Sequence, residues 1–148
     1  MNSKFMSEAL KEAKAAAESG EVPVGAVVVK NGEIIGKGRN RCEEKNMQTR
    51  HAEIEAIEAA AKTIGDWRLD GCEIYVTLEP CPMCAGAIIN SRIKTVVFGA
   101  YDSVSGAADS VTNLFALPFP SSPEVFGGIR ETECKEILTD FFKKRREK

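Results

Sequence analysis

Apolar and polar positions alternate along this chain in two distinct periods. Phe5, Met6, Ala9, Leu10, Ala13 and Ala17 recur at three- and four-residue intervals, which predicts a helix over 3–18. Ser3 or Ser7 can cap it, and Ser19-Gly20 ends it. Val22 to Val29 is apolar and β-branched, the pattern of a buried strand, with Pro23 near its start, where a missing donor is tolerated. Asn31-Gly32 is a strong hairpin signal, and Ile34-Ile35 opens a second strand running to about Arg39. Residues 40–50 are polar and irregular. The alanine-rich run from His51 to Ile64, with Ile54, Ile57 and Ala61, reads as a helix stopped by Gly65-Asp66. After the Asp70-Gly71 turn, Glu73 to Leu78 is a third strand, broken by Pro80. Pro82 to about Ser91 is the next helix, with proline at its favoured first position. Lys94 to Gly99 is a fourth strand. The long stretch 100–123 holds a helical patch near Asp109 to Leu117, then Pro118, Pro120 and Pro123 forbid regular structure. Val125-Phe126 is a short fifth strand, and Glu131 to Lys144 a helix with Cys134, Ile137, Leu138, Phe141 and Phe142 on one face.

Helices alternate with strands after the opening hairpin. The expected class is α/β, with helices covering a central five-stranded sheet. About 25 residues separate the fourth and fifth strands, enough for a crossover, so that pair is expected to be parallel and the sheet mixed. At 148 residues the chain is expected to form one domain over 1–148. Its 43% hydrophobic and 28% charged content is ordinary for a globular protein. No apolar run approaches the roughly 18 residues of a membrane span, and residues 1–20 carry Glu and Lys instead of a signal-peptide core; both point to the cytoplasm. The net charge of −2 means that any nucleic-acid contact must use a local basic patch. Lys143-Lys144-Arg145-Arg146, with Lys148, is such a patch or a helix C-terminus complementing its dipole. Five cysteines, an odd number, suit metal ligands plus buried thiols better than a disulfide frame. Cys42, Cys72 and Cys134 have no partner at metal spacing and are read as core thiols.

The chemistry gathers in two short runs, His51-Ala52-Glu53 and Pro80-Cys81-Pro82-Met83-Cys84. Cys81 and Cys84 are three apart across a helix start, so they share a face, and the helix N-terminus favours thiolates. Zinc takes sulfur and imidazole ligands in a tetrahedron, and His51, the chain's one histidine, is the natural third ligand. Three protein ligands leave a fourth position open, the mark of a catalytic site. Glu53 is the general acid/base candidate. Alternative readings stand beside each of these: a redox pair for the cysteines, a buried structural histidine, and a solvated carboxylate in the first turn of a helix.

H-x-E…P-C-x-x-C is the signature of zinc deaminases acting on nucleobases. The similarity extends further. Glu21-Val22-Pro23-Val24-Gly25-Ala26-Val27, Tyr75-Val76-Thr77-Leu78-Glu79-Pro80, Cys84-Ala85-Gly86-Ala87, Val96-Val97-Phe98-Gly99-Ala100 and Asp140-Phe141-Phe142 all resemble the bacterial tRNA-specific adenosine deaminase family over nearly the whole chain. That resemblance implies a cytidine-deaminase-like three-layer α/β/α sandwich, one zinc ion per subunit, and a homodimer. It also implies conversion of adenosine to inosine at the wobble position in a tRNA anticodon loop. By the same resemblance Asn40 matches an asparagine that hydrogen-bonds the base, Val24 and Leu78 match apolar positions around it, and Asp102 matches an aspartate near the flanking nucleotide. A turn residue, strand core and a loop-solvating charge are the respective alternatives. Two stretches depart from the family: Met47-Gln48-Thr49-Arg50, where Arg50 can bind a phosphate or occlude a base, and Pro120-Ser121-Ser122, which replaces an Asn-His pair. Both fall on expected substrate loops. Deamination of a free nucleobase or nucleoside (of guanine, cytosine or adenosine type) is therefore the second reading. A zinc-stabilised RNA-binding module without catalysis is the third, disfavoured by Glu53 and the open ligand position.

Overall fold

The computed structural model describes residues 2–147. The elements follow in order as α1 (Ser3–Glu18), β1 (Gly25–Lys30), β2 (Glu33–Arg39), α2 (Cys42–Lys45), α3 (Ala52–Ile64), β3 (Cys72–Leu78), α4 (Pro82–Asn90), β4 (Thr95–Ala100), a 3-10 turn at Leu114–Ala116, β5 (Glu124–Phe126) and α5 (Glu131–Arg146). The strands lie in one sheet in the order β2-β1-β3-β4-β5. β1 runs antiparallel to both neighbours, while β3, β4 and β5 are parallel. The sheet is the expected mixed, five-stranded one, with the last pair parallel.

Period-two alternation on the central strands divides the core. Ala26, Val28, Ile74, Val76, Val96 and Phe98 pack on one side with α3 and α4. Val27, Val29, Tyr75 and Val97 pack on the other with α1 and the start of α5. These are the three layers of the cytidine-deaminase-like fold. Glycines let the helices approach. A Cβ on Gly25 would overlap the backbone of Ala9 in α1, and Cβ atoms on Gly36 and Gly38 would overlap successive turns of α3.

Several boundaries differ from the sequence reading. β1 begins at Gly25, because Pro23 has no N–H to give a sheet and Val24 N–H instead turns back to Val22 O at 2.9 Å. The 40–50 stretch contains one helical turn, α2, ended by Asn46 in the left-handed region (φ 51°). His51 stands outside α3 as its N-cap. Of the 109–117 patch only the 3-10 turn forms. In α5 only Cys134 is fully buried, and Phe142 is exposed. Cys72 and Cys134 are buried as expected, but Cys42 is half-buried at the start of α2. Among the described residues no helix is long and apolar enough to cross a membrane.

Candidate active site

β2, β3 and β4 end at the same edge of the sheet, since β2 and β3 are both antiparallel to β1 and β4 is parallel to β3. In α/β sheets that edge is where ligands bind. The chain leaving β2 delivers Asn40 and then His51, the chain leaving β3 delivers Cys81, and the chain leaving β4 delivers Asp102. His51 and Cys81 are both N-cap residues in extended conformation, at ψ 156° and ψ 173°, so α3 and α4 each turn their N-terminal end to this point. Pro82 at the first position of α4 fixes that entry.

His51 Nδ1 lies 3.6 Å from Cys81 Sγ and 3.5 Å from Cys84 Sγ. All three donor atoms fall within 4.8 Å of one another. Zinc arms of 2.0–2.1 Å to nitrogen and 2.3 Å to sulfur, at a tetrahedral angle, separate the two donors by about 3.6 Å. The donor set therefore fits zinc in both chemistry and spacing. A hydrogen bond from Cys84, opposed by burial and aided by His51, draws Cys81 down to about 4. Cys84 is pushed up by Cys81 and by burial. The link to Cys81 also raises His51.

Glu53, the second residue of α3, is 4% exposed. Burial raises it to about 7, against the pull of its own backbone N–H and of His51. With His51 and Cys81 it lines a cavity of about 310 Å³, a size at the lower end of ligand pockets. Asn40, Val24, Leu78 and Asp102 all line the same cavity. Asn40 is also structural. Its Oδ1 accepts from Ala52 N at 2.9 Å, and its Nδ2 donates to Val22 O at 3.1 Å, tying the first residue of α3 to the lead-in of β1. One amide hydrogen of Nδ2 is left over. Asp102 caps its own turn, accepting from Val104 N, Ser105 N and the Ser105 hydroxyl.

Arg50 points away from both roles offered for it. Its guanidinium pairs with Glu55 and Glu58 on α3, each at 2.9 Å, and these bonds hold it firmly protonated. Arg41 joins the cluster through Glu55 at 3.2 Å. Pro120, Ser121 and Ser122 do not line the cavity; the Ser122 hydroxyl donates to Phe115 O at 3.0 Å. Arg145 of the basic tail does border the cavity. Lys148 lies outside the described residues.

Two buried carboxylates escaped the sequence reading. Glu21 accepts from Glu43 N at 3.1 Å and Glu44 N at 2.8 Å, capping the start of α2. Glu79 accepts from the loop that follows β4. Burial works to raise Glu79, but the hydrogen bonds from Ser110, Asp102 and Asp109 prevail and hold it below the usual carboxylate range. The only signal is a Glu directly after the third strand, just before Pro80. Its partners, 23 to 31 residues away, are the Ser110 hydroxyl and four backbone amides, and the amides carry no signature in a sequence.

Fold and donor set together are those of a deaminase, and the family model for MafB19-like deaminases matches residues 1–146. The tRNA-specific adenosine deaminase of Bacillus subtilis (strain 168) is 49% identical over 145 residues, 97% of this chain and 90% of the relative. That of Agrobacterium fabrum is 46% identical over 143 residues, covering 96% and 94%. A solved structure from work on A-to-I editing by tRNA:A34 deaminases at the wobble position of transfer RNA matches with a TM-score of 0.90. It is 45% identical and covers 93% of this chain and 100% of that one. The chain belongs to the tRNA-specific adenosine deaminase family.

Proposed function

We propose that this chain is a single-domain, zinc-dependent hydrolase that converts adenosine to inosine at the wobble position of a tRNA anticodon loop, working in the cytoplasm as a homodimer. The observation that carries the reading is the buried Glu53 beside the His51, Cys81 and Cys84 donors, in a cavity at the ends of β2, β3 and β4. The 46–49% identity to tRNA-specific adenosine deaminases supports the substrate.

His51, Cys81 and Cys84 would hold one zinc ion. Zinc supplies Lewis acidity, which makes water a nucleophile near neutral pH. The remaining chemistry belongs to the side chains. Glu53 takes a proton from the attacking water and delivers it to the purine ring nitrogen, as oxygen bonds to the amino-bearing ring carbon. It then passes the second proton to the departing amino group. Water is consumed, ammonia leaves, and Glu53 returns to its starting state. A buried carboxyl suits this shuttle because the apolar surroundings ease its protonation. In this reading the spare Nδ2 hydrogen of Asn40 bonds the base, Val24 and Leu78 pack on it, and Asp102 meets the flanking nucleotide. Arg145, at the cavity edge, supplies a cation for a phosphate.

Incubating the protein with an anticodon stem-loop and with a panel of free bases and nucleosides, then measuring ammonia, tests the reading. Release from the stem-loop is expected. Glu53→Ala should keep its zinc by elemental analysis and lose turnover by about 10² to 10⁴, and Cys84→Ala should lose the metal. Ammonia from a free base alone would replace this reading with the free-nucleobase one, and an active Glu53→Ala would sink the mechanism.

A further inference from the structure

Glu79 closes β3 with a side chain 2% exposed, and no ion pair among the described residues includes it. A buried charge without a counter-ion needs donors around it. All of its donors come from one loop. Oε1 accepts from Asp102 N at 2.9 Å and from the Ser110 hydroxyl. Oε2 accepts from Ala108 N at 3.0 Å, Asp109 N at 2.8 Å and Ser110 N at 2.9 Å. A carboxylate offers roughly four lone-pair sites, so these donors leave none for a substrate. The loop closes around the carboxylate through Gly106 N to Asp102 O at 2.9 Å and Ala107 N to Pro80 O at 2.8 Å. Gly106 packs so tightly that a Cβ there would overlap Glu79 Cδ and Oε1 and also Asp102 O. The first turn of the same loop presents Asp102 and Ser105 to the catalytic cavity.

We propose that Glu79 is a positioning residue for substrate recognition. Its carboxylate gathers the 102–110 loop into a fixed cavity wall and so sets substrate affinity, while proton transfer stays with Glu53. The inference rests on the deaminase reading above.

Glu79→Gln keeps the size of the side chain but turns an NH2 toward one of the two donor groups. Losing a charge-assisted tether of this kind is expected to raise KM about tenfold, with kcat within about threefold of wild type. Zinc content should be unchanged, and amide exchange at residues 102 and 108–110 should accelerate. Ser110→Ala removes one donor to the carboxylate without touching position 79. It should raise KM in the same direction, and the double variant should be no worse than the poorer single one, as for two changes acting on one contact. If Glu79→Gln fails to fold, Ser110→Ala carries the same measurements. The substrate is whichever panel member the wild type deaminates, so failure of the tRNA reading and failure of this one are told apart. Unchanged KM in a variant whose loop amides exchange faster would overturn the proposal. So would a collapse in kcat at constant KM, or additive effects in the double variant.

Discussion

At the scale of single residues the chain uses burial in opposite ways. Glu53 is raised by burial and Glu79 is lowered in spite of it, because hydrogen bonds from the loop outweigh desolvation only at Glu79. Cys134, fully buried between α5 and β4, shows burial acting on a thiol, which it pushes up to about 11. The unfolded thiol ionises first as pH rises, and the folded one later. The stabilisation is thus complete below about pH 9 and is lost as pH rises toward 11, by roughly 2–3 kcal/mol. Thermal unfolding between pH 7 and 11 should show that loss in the wild type, and Cys134→Ala should flatten it; an equal alkaline slope in both would refute the assignment. The motif residues were legible because their spacing marks them. His51, Cys81 and Cys84 meet in space as read. Arg50 was not legible, since its partners Glu55 and Glu58 look like ordinary solvated charges on a helix face until α3 is placed.

At the scale of elements, β2 and α3 hold the site open. Gly36 and Gly38 face α3 one turn apart, and a Cβ at either would overlap α3 backbone. Gly38 lies against Ala52 and Ala56, where the helix starts and His51 and Glu53 are set. Gly36 lies against Ala56 and Ala60, further along. Both Gly→Ala changes are expected to cost about 1–3 kcal/mol by overpacking. Gly38→Ala should also weaken zinc binding, while Gly36→Ala should leave it near wild type. Denaturant melts paired with zinc titration separate the two effects, and equal zinc affinity in both variants would show that the helix start is not what seats His51. The periodic elements were readable because each buries one face. The exceptions are instructive: Val22 to Val24 has strand composition but Pro23 keeps it out of the sheet, and the 109–117 patch is bound into a loop around Glu79 and Pro80, where tertiary bonds override a weak helical preference.

At the scale of the molecule a net charge of −2 coexists with a cationic tail whose Arg145 reaches the cavity edge. If three cations there meet phosphates of a single-stranded loop, the stem-loop affinity should fall about 20-fold over a fourfold rise in salt, at about −0.7 per phosphate in log–log slope. Free adenosine should show almost no salt effect. Flat binding of the stem-loop would remove the tail from the interface. The full sheet order was beyond the sequence, because only three-dimensional pairing puts β3 at the centre, between β1 and β4, with β5, three residues long, at one edge.

Gly106 sits against the carboxylate of Glu79, and this restricts how descendants of this chain can change. Alanine at 106 meets two obstacles, the Glu79 carboxylate and Asp102 O; a smaller side chain at 79 removes the first, and only a shift of the 102–106 turn removes the second. Position 79 and the 102–106 turn, more than 20 positions apart in the chain, would then drift together. A new shape for the wall of the cavity would arrive by that route, while the histidine and cysteines stayed as they are.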